Sequence, residues 1–234
     1  MSRSQTAFLF DLDGTLVDSV GPLCKWAQRL CAEYGLPAGT AEWVIEQRDS
    51  YATWQTFVGA AAEYVGRPEK SAEWRDHLVR NYPHEFTLAP DTAERLTSLR
   101  AAGWKLAIVT NGGIGMQTAK IDQVGLHDYV DAICISEAEG VRKPDRAIFE
   151  RAAGRLGVEL GSHGWMVGDT LRADVEGGIS AGVRTIWLSS DAQEPSGAAA
   201  SSVTGGGLGE GLEPRPEHVC GSIVAALDHI LTSA

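Results

Sequence analysis

Two carboxylates stand one residue apart at the end of an apolar run, Phe8-Leu9-Phe10-Asp11-Leu12-Asp13, and a Gly-Thr turn follows them. Asp is depleted from strands, so a pair at the tip of one points to a site there rather than to the strand itself. Side chains alternate along an extended chain, which lets Asp11 and Asp13 share one side while Leu12 points to the core. One acid can then act as a nucleophile while the other moves protons. Taken alone, the run is equally a strand end followed by an Asp-Gly turn.

Three further clusters follow in order. Thr110-Asn111-Gly112-Gly113 places a hydroxyl, an amide and main-chain N–H groups after the apolar run that ends at Val109. Such groups at a helix start suit an anion, and a plain helix cap is the competing account. Gly140 to Asp145 contains Lys143 before Pro144; a residue before proline is held extended, which can aim the ammonium back toward the strand ends. Gly168-Asp169-Thr170-Leu171-Arg172-Ala173-Asp174 repeats the strand-end acid and adds a second Asp five residues on. Asp174 can also be a first-turn helix acid favoured by the dipole.

The elements that must position these clusters alternate. The patterns predict strands at Thr6–Phe10, Lys105–Val109, Ala132–Ile135, Trp165–Val167 and Thr185–Leu188, with helices near 91–103, 114–124, 145–156, 173–181 and 218–231. Five strands separated by helices call for an α/β fold: a doubly wound, parallel, five-stranded Rossmann-like core with right-handed crossovers. Between the first two strands the pattern is helical throughout, at 19–34, 40–48, 50–65 and 71–82, with Asp18 or Ser19 as the first cap. The expected organisation is therefore a core of 1–17 and 89–234 and an inserted helical subdomain of 18–88. Trp26, Trp43, Trp54 and Trp74 fall in that insertion, at spacings that suit a small bundle core. Residues 189–216, rich in Gly, Ala, Ser and Pro, are expected to form a flexible loop.

Composition narrows the partners. The 234 residues are 44% hydrophobic and 22% charged with a net charge of -11. That balance suits a soluble globular chain and argues against a nucleic acid polymer, whose phosphates need Lys and Arg. An acidic protein that handles phosphate needs a local cation. Cys24, Cys31, Cys134 and Cys220 have no metal-ligand spacing, residues 1–6 carry no secretory h-region, and no apolar run suits a membrane helix. A reduced, cytoplasmic chain is expected.

Taken in order, Asp11-Leu12-Asp13-Gly14-Thr15, Thr110-Asn111-Gly112, Lys143-Pro144-Asp145 and Gly168-Asp169 to Asp174 resemble the four motifs of the haloacid dehalogenase superfamily of hydrolases. The resemblance runs from Phe8 to about Leu188, and the helical insertion resembles that family's C1-type cap. The wording from Thr110 through Gln117, Lys120-Ile121 and Ile135-Ser136-Glu137 is most similar to its nucleotidase and acylneuraminate-phosphatase-like branch.

That resemblance implies a Mg²⁺-dependent phosphatase acting on a small phosphate monoester of the nucleoside monophosphate, sugar phosphate or phosphoglycolate type. It makes Asp11 the nucleophile and Asp13 the acid and base. Thr110, with main-chain amides near Asn111 and Gly112, would hold the phosphoryl group, and Lys143 would neutralise charge. Asp11, the Asp13 carbonyl and Asp169 would hold Mg²⁺, with Asp174 supporting it. Arg48, with Tyr51 and Trp54, is the candidate for reading the leaving group. Three carboxylates and a phosphate dianion sum to minus five; Lys143, the ion and a proton on Asp13 bring this to minus one. Crowded negative charge is expected to let Asp13 keep that proton. An acid at position 13 argues against displacement of a halide, which needs no proton. A phosphomutase and a catalytically silent scaffold remain the alternatives.

Overall fold

In the computed structural model, residues 6–48, 50–51, 53–190 and 215–233 are described. The chain divides into two compact units, Met1–Val17 with Leu88–Ala234, and Asp18–Thr87.

The first unit is built on strands β1 (Ala7–Phe10), β2 (Lys105–Thr110), β3 (Ala132–Ile135), β4 (Trp165–Gly168), β5 (Arg184–Leu188) and β6 (His218–Cys220). They form one sheet in the order β3-β2-β1-β4-β5-β6, and every neighbouring pair is parallel. The sixth strand is a correction to the five expected. The helix predicted from 218 begins only at Ile223, and His218-Val219-Cys220 before it is a strand, too short for an alternating pattern to show.

Strand β1 is buried on both faces, as a central parallel strand must be. Ala7 and Leu9 cluster with Ala107, Val109, Met166, Ile148, Phe149 and Ala152 on one side. Phe8 and Phe10, pointing the other way, stack on each other with ring centroids 4.6 Å apart. Strand order reverses at the β1/β4 pair, the switch point at which open α/β sheets bind ligands. Phe10 lies opposite Val167 and Ile108, so Thr110, the last residue of β2, lies at about the same level as Asp11 and Asp169, which follow the ends of β1 and β4.

Among the described residues, the insertion's own helices are α1 (Val20–Tyr34), α2 (Thr40–Glu46), α3 (Trp54–Tyr64) and α4 (Ser71–Asn81); the sheet's are α5 (Pro90–Ala101), α6 (Ile114–Gln123), α7 (Ser136–Glu139), α8 (Arg146–Leu156), α9 (Gly177–Ala181) and α10 (Ile223–Ser233). Asp145 is the N-cap of α8, accepting from the Ala147 N–H. Helix α5 starts on Pro90 at its first position, with no side-chain cap from Asp91. Ahead of α9 the chain makes a wide π turn at Leu171–Glu176.

In the second unit, Asp18 caps α1: its carboxylate accepts from the N–H groups of Val20 and Gly21 at 2.9 and 3.0 Å. Helix α3 begins at Trp54, later than the sequence pattern suggests, because Thr53 and Thr56 form a reciprocal cap there. Trp26, Trp74, Phe57, Tyr82 and Phe86 are buried as the core of this bundle. The Trp26 indole donates to His77 Nδ1 at 3.0 Å. Trp43 instead stacks on Tyr64, which is exposed. The expected 189–216 loop falls mainly on residues 191–214, outside those described. No helix among the described residues is long and apolar enough to cross a membrane.

Candidate active site

The turn after β1 brings Asp11 and Asp13 to the sheet's carboxyl end. Asp11 N–H still donates to the Val167 carbonyl at 2.9 Å, which continues the β1 to β4 ladder by one residue. The chain then folds back so that the N–H groups of Gly14 and Val17 bond Val17 and Leu12 carbonyls at 2.9 and 3.1 Å. Gly14 sits at φ +73°, and a Cβ there would fall 2.1 Å from Asp169 Oδ2. Only glycine lets this turn approach the second strand-end acid so closely.

Lys143 is the central cation. Its side chain is 1% exposed, and its Nζ lies 2.8 Å from Asp11 Oδ1 and 2.6 Å from Asp174 Oδ1. Asp174 is equally buried, and its other oxygen accepts from the Thr170 N–H at 3.0 Å. A Cβ on Gly168 would collide with the Asp174 carboxyl at 2.2 Å, so the tip of β4 must be glycine for Asp174 to fold over it. Thr170 Oγ1 donates to Asp169 Oδ1 at 3.2 Å.

The loop that carries Lys143 is fixed from β2. Asn111 Nδ2 donates to the Lys143 carbonyl at 3.0 Å, and Asn111 Oδ1 accepts from the Lys143 N–H at 2.9 Å. The Lys143–Pro144 peptide is cis. With its side chain so engaged, Asn111 can meet a phosphoryl group only through its main chain. The Gly112 N–H, expected to face that group, donates to Ser136 Oγ at 3.0 Å instead.

Thr110, at the end of β2, is 1% exposed and accepts a hydrogen bond from Gln117 Nε2 at 2.7 Å. Its own hydroxyl hydrogen is therefore directed elsewhere and can serve an anion. The same Gln117 nitrogen lies 2.8 Å from Asp13 Oδ2, and Lys120 Nζ lies 2.7 Å from Asp13 Oδ1. In the sequence, Gln117 and Lys120 carry only a likeness to one branch of the family and no predicted role. The signal that marks them is two polar residues on a buried stripe of α6, Met116, Gln117, Lys120 and Ile121.

Burial, reinforced by the neighbouring carboxylates and opposed by Lys143, pushes the Asp11 carboxyl up to about 7. Burial, then the charge of Asp11, pushes Asp169 up to about 6. Lys143 shifts upward as well: burial works against its charge, but Asp11 and Asp174 outweigh it. Asp13 has a buried lysine against it and a side chain 29% exposed.

One ligand oxygen each from Asp11, Asp169 and Asp174 lies within 4.8 Å of the others. Three carboxylates against one ammonium leave surplus negative charge, and all the donors are oxygen. That set suits a hard divalent cation such as Mg²⁺. The Asp13 side chain turns away to Lys120 and Gln117, which leaves its main-chain carbonyl as its possible contribution. Arg48 lies in the second unit, exposed, in the turn after α2.

Sheet order, strand-end carboxylates and a buried lysine define a doubly wound α/β protein whose site is equipped for carboxylate and cation chemistry. The chain belongs to the haloacid dehalogenase-like hydrolases, whose family pattern it matches over residues 5–182. It is 33% identical over 224 residues to a ribulose-1,5-bisphosphate 5-phosphatase from Halopiger xanaduensis, covering 84% of this chain and 91% of that one. A pyrimidine 5'-nucleotidase, YjjG, from Escherichia coli is 39% identical over 108 residues, 46% of this chain and 48% of its own. Among solved structures, the magnesium-bound HAD hydrolase YfnB of Bacillus subtilis superposes with a TM-score of 0.70 at 22% identity, covering 98% of this chain and 99% of that one. Its likeness concerns the fold. The family and its phosphatase relatives make this chain a phosphatase.

Proposed function

We propose that the protein is a Mg²⁺-dependent phosphatase that hydrolyses a small phosphate monoester of nucleotide or sugar-phosphate type through an aspartyl-phosphate on Asp11. The observation that carries this reading is the split environment of the two strand-end acids. Asp11 is buried against Lys143, and Asp13 is more exposed and bonded at both oxygens from α6.

In the first half-reaction an Asp11 oxygen attacks phosphorus. The bond from phosphorus to the ester oxygen breaks, and that oxygen leaves with its electron pair and takes the proton held by Asp13. Lys143 offsets charge on Asp11 and on the transferring group, and the Thr110 hydroxyl donates to a phosphoryl oxygen. In the second half-reaction Asp13 accepts a proton from water. The water oxygen forms the new bond to phosphorus, and the Asp11 to phosphorus bond breaks, which restores both acids. Asp11, Asp169 and the Asp13 carbonyl would hold Mg²⁺, with Asp174 as support. When bound, the ion supplies positive charge that permits a carboxylate to meet a phosphate dianion.

The phosphatase relatives support the substrate class. This reading gives segment 18–88 the part of a C1-type cap, with Arg48 as its candidate for substrate recognition. Four free thiols, Cys24, Cys31, Cys134 and Cys220, agree with a reducing cytoplasm.

Phosphate release from nucleoside monophosphates, sugar phosphates and phosphoglycolate, with and without Mg²⁺, tests the reading. Metal-dependent release that falls to background in Asp11→Asn is the expected result. Folded wild-type protein that releases none with metal present, or an Asp11→Asn variant that retains full activity, would overturn it.

A further inference from the structure

Helix α6 buries Met116, Gln117, Lys120 and Ile121 along one stripe, and two of the four are polar. Lys120 has a side chain only 3% exposed, and taking an ammonium out of water is costly unless a partner offsets it. Its partner is Asp13 Oδ1 at 2.7 Å, while Gln117, one turn earlier, donates to Asp13 Oδ2 at 2.8 Å. Two donors from one helix thus hold the two oxygens of one carboxylate.

We infer that Lys120, together with Gln117, is a positioning residue for Asp13: it fixes the plane and direction of the carboxyl group that exchanges the proton. This inference rests on the reading of Asp13 as acid and base. An aspartate on a strand-end loop, with 29% of its side chain exposed, is free to rotate about its terminal bond unless both oxygens are tied. A charge-assisted bond from a buried ammonium is the stronger tie of the two. Each oxygen keeps a second lone pair, so the carboxyl can still carry a proton while it is held. Gln117 Nε2 also lies 2.7 Å from Thr110 Oγ1. One amide therefore sets both the proton carrier and the hydroxyl assigned to the phosphoryl group.

A residue that acts through Asp13 has a signature that mere support of the fold lacks. Protonation of the leaving oxygen matters greatly for an alkyl ester and little for an aryl ester whose phenolate leaves unaided. Lys120→Met, Lys120→Arg and Asp13→Asn are compared by kcat/KM on p-nitrophenyl phosphate and on the best alkyl monoester. This ratio reports steps up to the first irreversible bond cleavage.

Asp13→Asn calibrates the assay, because general-acid assistance contributes about 10²–10⁴-fold. Lys120→Met is expected to lose at least about tenfold more on the alkyl ester than on the aryl ester, a part of that same effect, and Lys120→Arg is expected to regain some of the difference. Equal losses on both esters in Lys120→Met, or no loss, with selective loss in Asp13→Asn, would overturn the inference and leave the acid role standing. Equal losses in Asp13→Asn itself would overturn the acid role. If Lys120→Met does not fold, Lys120→Gln, which keeps a donor without the charge, takes its place: selective loss on the alkyl ester supports the inference, and equal losses overturn it.

Discussion

Lys143 Nζ lies 2.6 Å from Asp174 Oδ1, with both side chains 1% exposed, and the same nitrogen reaches Asp11 Oδ1 at 2.8 Å. One ammonium therefore balances two buried carboxylates contributed by different strand ends. Removing it leaves both unpaired, a loss that typically costs about 3–5 kcal/mol. For a chain of this length that is a fall in melting temperature of roughly 6–20 °C. Lys143→Met in metal-free buffer is expected to show this fall, and Lys143→Met combined with Asp174→Asn a smaller one, because the second change removes a stranded charge. Calorimetry of the two variants checks the point, and a double variant no more stable than the single would contradict it.

The carboxylate cluster has a pH signature tied to metal. Asp11 and Asp169 sit at about 7 and about 6, above the ordinary 3.8, chiefly through desolvation, which is stronger for the buried Asp11 than for Asp169 at the surface. Without metal the folded protein binds more protons than the unfolded chain between the ordinary value and the raised ones. The contribution of these groups to stability is thus present at low pH and lost as pH rises through about 6 to 7. A divalent cation relieves the deprotonated form. The gain in melting temperature on adding Mg²⁺ is expected to be larger at about pH 8 than at about pH 5.5, where protons compete for the same oxygens. Asp169→Asn should abolish most of that gain, and equal gains at the two pH values would refute this account.

Gly14 offers a steric test of the same cluster. An alanine there must adopt a left-handed backbone at about 1–2 kcal/mol and place its Cβ 2.1 Å from Asp169 Oδ2. Gly14→Ala is expected to displace the Asp169 carboxylate, so that the Mg²⁺-induced rise in melting temperature shrinks along with phosphate release. A variant that melts lower yet keeps the full metal response would show that the loop, rather than Asp169, gives way.

Most of this site is legible in the sequence because its chemistry sits at strand ends. An apolar run that stops in Asp, as at Asp11 and Asp169, is visible without any fold. The order of four such clusters implies the sheet that gathers them. Lys143 and Asp174 each stand out, but their mutual bond does not, since a contact between residues 31 apart depends on how two crossovers converge. Asn111 is expected to face substrate, whereas it clamps the Lys143 main chain; a side-chain amide gives no sign in the sequence of which partner it takes. Gln117 and Lys120 act on Asp13 across more than a hundred residues of sequence, 104 and 107. Their only local mark is polarity on an apolar helix face. Strand β6 leaves no mark because His218-Val219-Cys220 is too short for any period to show.

That short strand carries a pH response of opposite sign to the acid cluster. The His218 and His229 rings lie 4.0 Å apart between centroids, and both meet Trp165, whose ring also carries the Arg184 guanidinium 3.8 Å above it. Burial first, then the charges of His229 and Arg184, holds His218 below the ordinary histidine value, with Glu217 opposing. Burial and Arg184 lower His229 in the same way, again against Glu217. The folded protein thus keeps both rings neutral where the unfolded chain would charge them. Below the ordinary 6.5 the unfolded state binds more protons, so stability falls as pH drops from there toward the lowered folded values. His218 Nδ1 is buried with no hydrogen-bond partner among the described residues, so Phe can replace the ring without breaking a bond at that atom. His218→Phe is expected to be at least as stable as wild type near neutrality and to lose less stability between about pH 7.5 and about pH 5.5. Urea unfolding of the two proteins at both pH values measures that difference, in which the common contribution of Asp11 and Asp169 cancels. Parallel losses in variant and wild type would place the acid sensitivity elsewhere in the chain.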